Sequence, residues 1–413
     1  MHNGKTIMEK LELLSPAGDM EKLKTAFYFG ADAVYIGGKE MSLRSQAGNF
    51  SNEEILQAVE YAHSLNKKVY VAVNIFAKNA DIESAINYFK FLETAKIDGA
   101  IISDTGLIAL AKEVAPNLPI NLSTQANTLN YKTVEFWKNF GVKRVILARE
   151  LSLEEIKQIH EKVNDIEIET FIHGAMCISY SGRCLLSDYK TGRKSNRGEC
   201  VQACRWKYEI RESGSAGEFM EMQEDEHGTY ILNSKDLNLL DYIHQLASAG
   251  VISFKIEGRM KSQYYLATVV NAYRRAIDEY YKVGESYKEN PLFQLELEKT
   301  AHRDFTTAYL LGENDRTVNY EDSQSKGTHK FMATVLEDAN NGYALIEMRN
   351  RFVKGDTLEV LSPNDTFNKE IVVEKMYNEE GEEVLDAKLV MQKLKLKTDL
   401  PLKAGDILRA KQM

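Results

Sequence analysis

A (β/α)8 barrel followed by a small all-β domain is the fold class this sequence predicts, and three observations predict it. From residue 11 to about 260, eight short runs rich in Val and Ile alternate with segments of helical spacing. Near-continuous apolar runs of this kind mark parallel strands buried on both faces. No Gly-x-Gly-x-x-Gly follows the first run, which weakens an open dinucleotide-binding sheet as the competitor. Beyond about residue 330 the apolar pattern changes to period two, with hairpin-like turns between the runs.

The eight runs are residues 11–15, 33–37, 69–74, 100–103, 120–124, 145–149, 166–172 and 251–256. Helical patterns lie between them: in 53–65, for instance, Ile55, Leu56, Val59 and Ala62 repeat at helical spacing. Successive runs start roughly 20–36 residues apart until the last step, which takes 85 and therefore holds an insertion. In a barrel the loops that follow strands form the catalytic face, so an insertion after strand seven sits at the active-site end. A long helix is expected over 261–281 and another over 292–302. The barrel is expected to occupy 1–310, a polar linker 311–329 and the β domain, barrel-like, 330–413. Its strands are read at 331–336, 343–348, 357–361, 370–376, 384–390 and 406–410.

Composition sets further bounds. The 413 residues are 44% apolar and 27% charged with only 6 Pro, which is globular material with enough apolar surface for a core. A formal net charge of −9 argues against broad, non-specific phosphate binding, although a local basic site is allowed. The β domain, with 13 basic and 15 acidic side chains, nets −2 and does not reveal a nucleic-acid partner by composition. The N-terminus lacks the apolar core of a signal peptide, and no stretch approaches the about 18 apolar residues of a membrane helix, so a cytoplasmic protein without membrane contact is expected.

Four cysteines, Cys177, Cys184, Cys200 and Cys204, fall within one 28-residue segment at the start of the insertion. In a reducing compartment such clustering points to metal or redox work. Four thiolates satisfy an iron–sulfur cluster or a zinc ion, and reduced structural thiols are the third alternative. The wide first spacing, Cys-x6-Cys, suits the larger object. Residues 183–208 carry seven basic side chains against two acidic ones, which would offset the charge of a thiolate-bound cluster and attract an anionic substrate.

The same segment carries a resemblance. Glu169 through Cys177, with His173-Gly174-Ala175-Met176 inside it, is followed by Ser179-Tyr180-Ser181-Gly182-Arg183-Cys184. With Asn196-Arg197-Gly198-Glu199-Cys200, Cys204-Arg205-Trp206 and Lys255-Ile256-Glu257-Gly258-Arg259, these blocks resemble the collagenase-like peptidase family of unassigned mechanism. Ser15-Pro16-Ala17-Gly18, Arg44 with Asn49-Phe50, and Ser123-Thr124-Gln125 with Asn127 are similar to its earlier blocks, and the likeness covers about residues 10–285. The subgroup most resembled is the prephenate-dependent tRNA hydroxylation proteins; sister branches act on ribosomal RNA or in ubiquinone hydroxylation. The resemblance implies a four-iron four-sulfur cluster on the cysteines of segment 169–208 and oxygen-independent formation of 5-hydroxyuridine at the tRNA wobble position. It further implies prephenate as co-substrate, tRNA as partner, and a homologous protein as a further candidate partner. A peptide hydrolase and a non-catalytic RNA- or partner-binding metalloprotein are the alternatives. No Gly-x-Ser-x-Gly elbow or His-Glu-x-x-His helix supports the hydrolase.

Polar residues that terminate buried strands are the remaining site candidates, because left unpaired in a core they would cost about 1–3 kcal/mol each. Asn74, Gln125 and Asn127 follow strands three and five. Lys255, Glu257 and Arg259 alternate with Ile256 and Gly258, so strand spacing would project the three charges together. Two carboxylates on a substrate are best gripped by guanidinium forks, which singles out Arg44, Arg149 and Arg259. His173, whose imidazole ordinarily titrates near neutrality, and Glu257 are the expected proton carriers, with Lys255 beside them.

Overall fold

The computed structural model describes residues 10–42, 48–176, 186–191, 201, 203, 235–312 and 325–412. Eight parallel strands close a barrel: β1 (Glu12–Pro16), β2 (Ala33–Gly37), β3 (Lys68–Val73), β4 (Gly99–Ile102), β5 (Ile120–Leu122), β6 (Arg144–Ile146), β7 (Glu167–Ala175) and β9 (Ser253–Ile256). Closure comes from β9, which pairs in parallel with both β1 and β7. Five of the helices between the strands start on side-chain caps. Asp19, Asp104 and Asn130 each accept a backbone N–H of the first turn, and Ser51 and Ser152 form full capping boxes with Glu54 and Glu155. The long helix Gln263–Val283 closes the layer, buried on all sides from Tyr264 to Tyr273 and on one face, Ala276, Ile277 and Tyr280, beyond. No described helix is long and apolar enough to cross a membrane.

Two short strands add to the barrel inside and beyond the insertion. β8 (Asp236–Asn238) runs antiparallel to the end of β7, and β10 (Phe305–Thr306) pairs in parallel with β8. Three and two residues are too few to show a period in the sequence.

The C-terminal residues form a seven-stranded antiparallel sheet around a core that includes Ala333, Ile346, Val360, Met376, Leu396 and Leu408. Its two edge strands, Glu370–Val372 and Met376–Tyr377, are separated by three residues, a reach of about 14 Å at most, so the sheet curls until its edges lie near one another. The expected strand over 384–390 reduces to Asp386–Ala387, and an unexpected one, Lys393–Lys397, pairs with strand Tyr343–Met348 and with Met376–Tyr377. The sheet docks on the barrel through Arg409. Its fully buried guanidinium bonds Glu296 of helix Pro291–Leu297 at 2.7 Å and Glu359 of its neighbouring strand at 2.6 Å.

Candidate active site

The barrel interior is charged where such barrels are usually filled with branched apolar side chains. Glu12 on β1, Ser253 on β9 and Glu169 on β7 lie in one register layer. Arg144, 2% exposed, spans them from β6: its Nη1 donates to Glu12 Oε1 at 2.5 Å and to Glu169 Oε2 at 3.0 Å. Ser253 donates to Glu12 at 3.0 Å, and the Tyr70 hydroxyl and Lys68 ammonium bond the other Glu12 oxygen at 2.9 and 3.0 Å. Burial alone would raise the Glu12 carboxyl, but Arg144 and Lys68 outweigh it and hold the pKa at about 2. Burial likewise opposes the Arg144 charge, and Glu169 and Glu12 more than restore it.

One layer nearer the strand C-termini sits Lys255, in register with Leu14 and Phe171. Its ammonium donates to Glu169 Oε1 at 2.8 Å and lies 4.5 Å from the Tyr35 ring centroid and 5.3 Å from that of Phe171. The same Phe171 ring carries the Arg149 guanidinium at 5.3 Å, and Arg149 Nη1 donates to the carbonyl of Ala175 at 3.0 Å. Cations over aromatic faces are held by the ring quadrupole while keeping their charge. Fully buried Arg144 and Lys255 are thus balanced by Glu12 and Glu169.

Above this floor, the loops that leave β3 and β5 bring three expected residues together. Asn74 Nδ2 donates to Gln125 Oε1 at 2.6 Å, and Asn127 Nδ2 donates to the Gln125 carbonyl at 3.0 Å. Asn127 adopts φ 53°, a left-handed conformation that asparagine tolerates and that turns the chain back over Gln125. Beyond the ends of β2 and β9, Arg259, 4% exposed, donates to Ser42 Oγ at 3.1 Å and to Asn49 Oδ1 at 3.0 Å. Gly37 makes room for it, since a Cβ there would meet the guanidinium.

Two expectations are corrected. Lys255, Glu257 and Arg259 do not project as one row: β9 ends at Ile256 and Gly258 takes φ +153°, so the alternation stops. Lys255 points into the barrel toward Glu169, Arg259 turns to Ser42 and Asn49, and half-buried Glu257 lies beside Gly174. His173 does not titrate near neutrality. A bulge between Phe171 and His173 pairs His173 with Ile256 and re-aims it away from the Lys255 face. There it is ringed by Tyr265, Tyr273 and Phe305, with the Tyr273 hydroxyl 3.4 Å from Nδ1, and burial pushes its pKa down to about 3. Tyr264 and Tyr265 are buried, Tyr264 against Phe331 of the C-terminal sheet.

Arg44, Cys177, Cys184, Cys200 and Cys204 lie outside the described residues. Among the described residues no group of three or more His, Cys, Asp and Glu could hold a metal ion. Glu12, Arg144 and Glu169 were not among the candidates read from the sequence. Their signal was a charge at an alternate position inside an otherwise apolar run, as in Leu11-Glu12-Leu13-Leu14.

A parallel barrel with a polar, cationic mouth and an appended curled sheet defines the class of protein. The chain belongs to peptidase family U32, whose model matches residues 18–320, while that of the peptidase family U32 C-terminal domain matches 327–409. It is 42% identical over 414 residues to tRNA hydroxylation protein P1 of Bacillus subtilis strain 168, covering 98% of this chain and 96% of that protein. Identity to tRNA hydroxylation protein P of Escherichia coli K12 is 40% over 416 residues, 91% of each chain. The 23S rRNA 5-hydroxycytidine C2501 synthase of the same organism is 34% identical over 307 residues, 73% of this chain and 45% of that protein.

Proposed function

We propose that this chain is an RNA-modifying hydroxylase acting on tRNA, converting the wobble uridine to 5-hydroxyuridine without molecular oxygen and with prephenate as co-substrate. The observation that carries the reading is the likeness, over 98% of the chain, to a protein named for tRNA hydroxylation. Cys177, Cys184, Cys200 and Cys204 would hold the iron–sulfur cluster; four thiolates are the donor set such clusters take, and β7 delivers the chain to the mouth at Ala175, two residues before the first of them. Bound there, the cluster would supply electron transfer beside the substrate.

The chain's own residues support a dianionic co-substrate. Arg149 and Lys255 flank Phe171 at the floor, Arg259 is fixed on the opposite wall by Ser42 and Asn49, and Asn74, Gln125 and Asn127 offer amide groups for hydroxyl or carbonyl oxygens. Arg44 is a further candidate for a carboxylate. Glu257 is the better proton carrier of the two expected, because His173 is buried and faces away.

Nucleoside mass spectrometry of tRNA from cells lacking the gene tests the reading: loss of 5-hydroxyuridine, restored by the gene, is expected, and unchanged modification refutes it. The absorbance spectrum and iron content of protein purified without air test the cluster separately.

A further inference from the structure

The strand the sequence pattern hid is also the one that presents an unusual surface. In Lys393–Lys397 the leucines Leu394 and Leu396 point into the core, so Lys393, Lys395 and Lys397 stand in a row on the other face. Register places Glu347 opposite Lys393, Leu345 opposite Lys395 and Tyr343 opposite Lys397, with Tyr377 flanking Lys395 from the other side. The Tyr343 and Tyr377 rings meet edge to face, 6.0 Å apart, across the lysine strand. Lys393 and Lys395 are exposed and enter no ion pair among the described residues. Of the acids around it, Glu347 binds Arg349 at 2.9 Å, Glu383 binds Lys354 at 2.9 Å and Glu374 binds Lys397 at 2.8 Å in an exposed pair that a phosphate could replace at little cost, while Glu379, Glu380 and Glu382 of the turn beyond Tyr377 stand exposed beside the row.

The surface is contiguous with the barrel mouth. Arg349, just beyond strand Tyr343–Met348, reaches Glu21 at 2.7 Å, and Glu21 lies in the first turn of the helix that follows β1, hence at the mouth end. On a chain of net charge −9, a row of lysines interleaved with aromatic rings matches a polyanion whose bases can stack.

We propose that this face, Lys393, Lys395 and Lys397 with Tyr343 and Tyr377, binds the sugar-phosphate backbone of the RNA substrate beside the nucleotide held in the mouth. The inference rests on the tRNA reading given above and assigns that substrate a second, sequence-independent contact on the C-terminal sheet.

The test uses the full chain as holoenzyme, fluorescently labelled unmodified tRNA transcript, and binding measured over a salt series. In the variant Lys393→Gln/Lys395→Gln/Lys397→Gln affinity should fall about tenfold or more at low salt, and the slope of log K against log salt should shrink by about 3, one for each lost phosphate contact. The charge-keeping Lys→Arg triple variant should restore both, and thermal melts should coincide with the parent because all three side chains lie off the core. Tyr377→Leu should weaken binding without changing the slope. If the parent binds and modifies tRNA while the Gln triple variant does so with equal affinity and slope, the face is a solvated surface and the inference fails alone. If the parent binds no tRNA and the deletion strain keeps its 5-hydroxyuridine, the functional reading fails first and takes the inference with it.

Discussion

Glu169→Gln is the sharpest probe of the barrel interior. The side chain is fully buried and accepts from Lys255 at 2.8 Å and Arg144 at 3.0 Å. Glutamine keeps the shape and one acceptor oxygen, so the substitution removes charge with little change in volume. What is left is two buried cations, Arg144 and Lys255, with buried Glu12 and partly exposed Glu167, each on Arg144, as counter-charges and none on Lys255. Removing one partner of a buried pair costs about 3–5 kcal/mol, which for a domain of this size lowers Tm by at least about 6 °C. The double variant Glu169→Gln/Lys255→Met deletes one charge of each sign and leaves Glu12 and Arg144 balanced. It should recover about 2 kcal/mol or more of that loss, a coupling well outside additivity. Urea unfolding followed by Trp137 fluorescence gives all four corners of the cycle. The reasoning fails if Glu169→Gln stays within about 1 kcal/mol of the parent, or if the double variant is as unstable as the two single losses added.

Other outcomes follow from named contacts. His173 has a folded pKa of about 3 against an ordinary 6.5, so between those values the unfolded chain binds a proton that the folded chain refuses. Stability should therefore be full above pH 6.5 and fall toward pH 3, by up to about 1.4 kcal/mol per unit from this group; melts of His173→Asn across pH should lack that component. Gly37→Ala would drive a methyl group into the Arg259 guanidinium and Ser42 Oγ. The protein should fold yet bind prephenate at least about tenfold more weakly, an effect of one lost charge-assisted contact, measured by calorimetry. Arg409→Met leaves Glu296, 1% exposed, and Glu359 with Lys299 alone, and should cost about 3 kcal/mol or more at the junction of sheet and barrel. Calorimetry should then resolve separate transitions for the two.

The barrel was legible because each of its strands is an apolar run and each connecting helix carries an amphipathic stripe; those patterns depend on local burial that the sequence records directly. What escaped depends on context. Lys393–Lys397 alternates perfectly, but lysine is a poor strand former, and only the sheet on either side makes Leu394 and Leu396 a buried face. The bulge at His173 leaves no mark in the sequence, yet it decides which side of β7 the imidazole occupies. Searching the C-terminal ends of strands singled out Asn74, Gln125, Asn127 and Arg149, and passed over Glu12 and Arg144, which open their strands, and Glu169, near the start of β7. The same assumption of continued alternation produced the row of Lys255, Glu257 and Arg259 that Gly258 breaks.

The interior network poses a physical question that stability does not answer. Replacing buried ion pairs by apolar side chains is often neutral or favourable, so four buried charges in a barrel are poor devices for holding it together. They make better sense as a means of placement. Lys255 is fixed by Glu169 below and by Tyr35 and Phe171 at its flanks, and Glu169 is itself fixed by Arg144, which Glu12 anchors from the far side of the barrel. A change at Glu12 should then be felt at the mouth three contacts away. In Glu12→Gln the affinity for prephenate should fall while affinity for tRNA stays at the parent value, because only the floor of the site has moved. Glu12→Asp, which keeps the charge, should recover part of the loss. A Glu12→Gln protein that melts earlier but binds prephenate and tRNA as the parent does would reduce the network to scaffolding and remove Lys255 from the residues proposed to grip the anion.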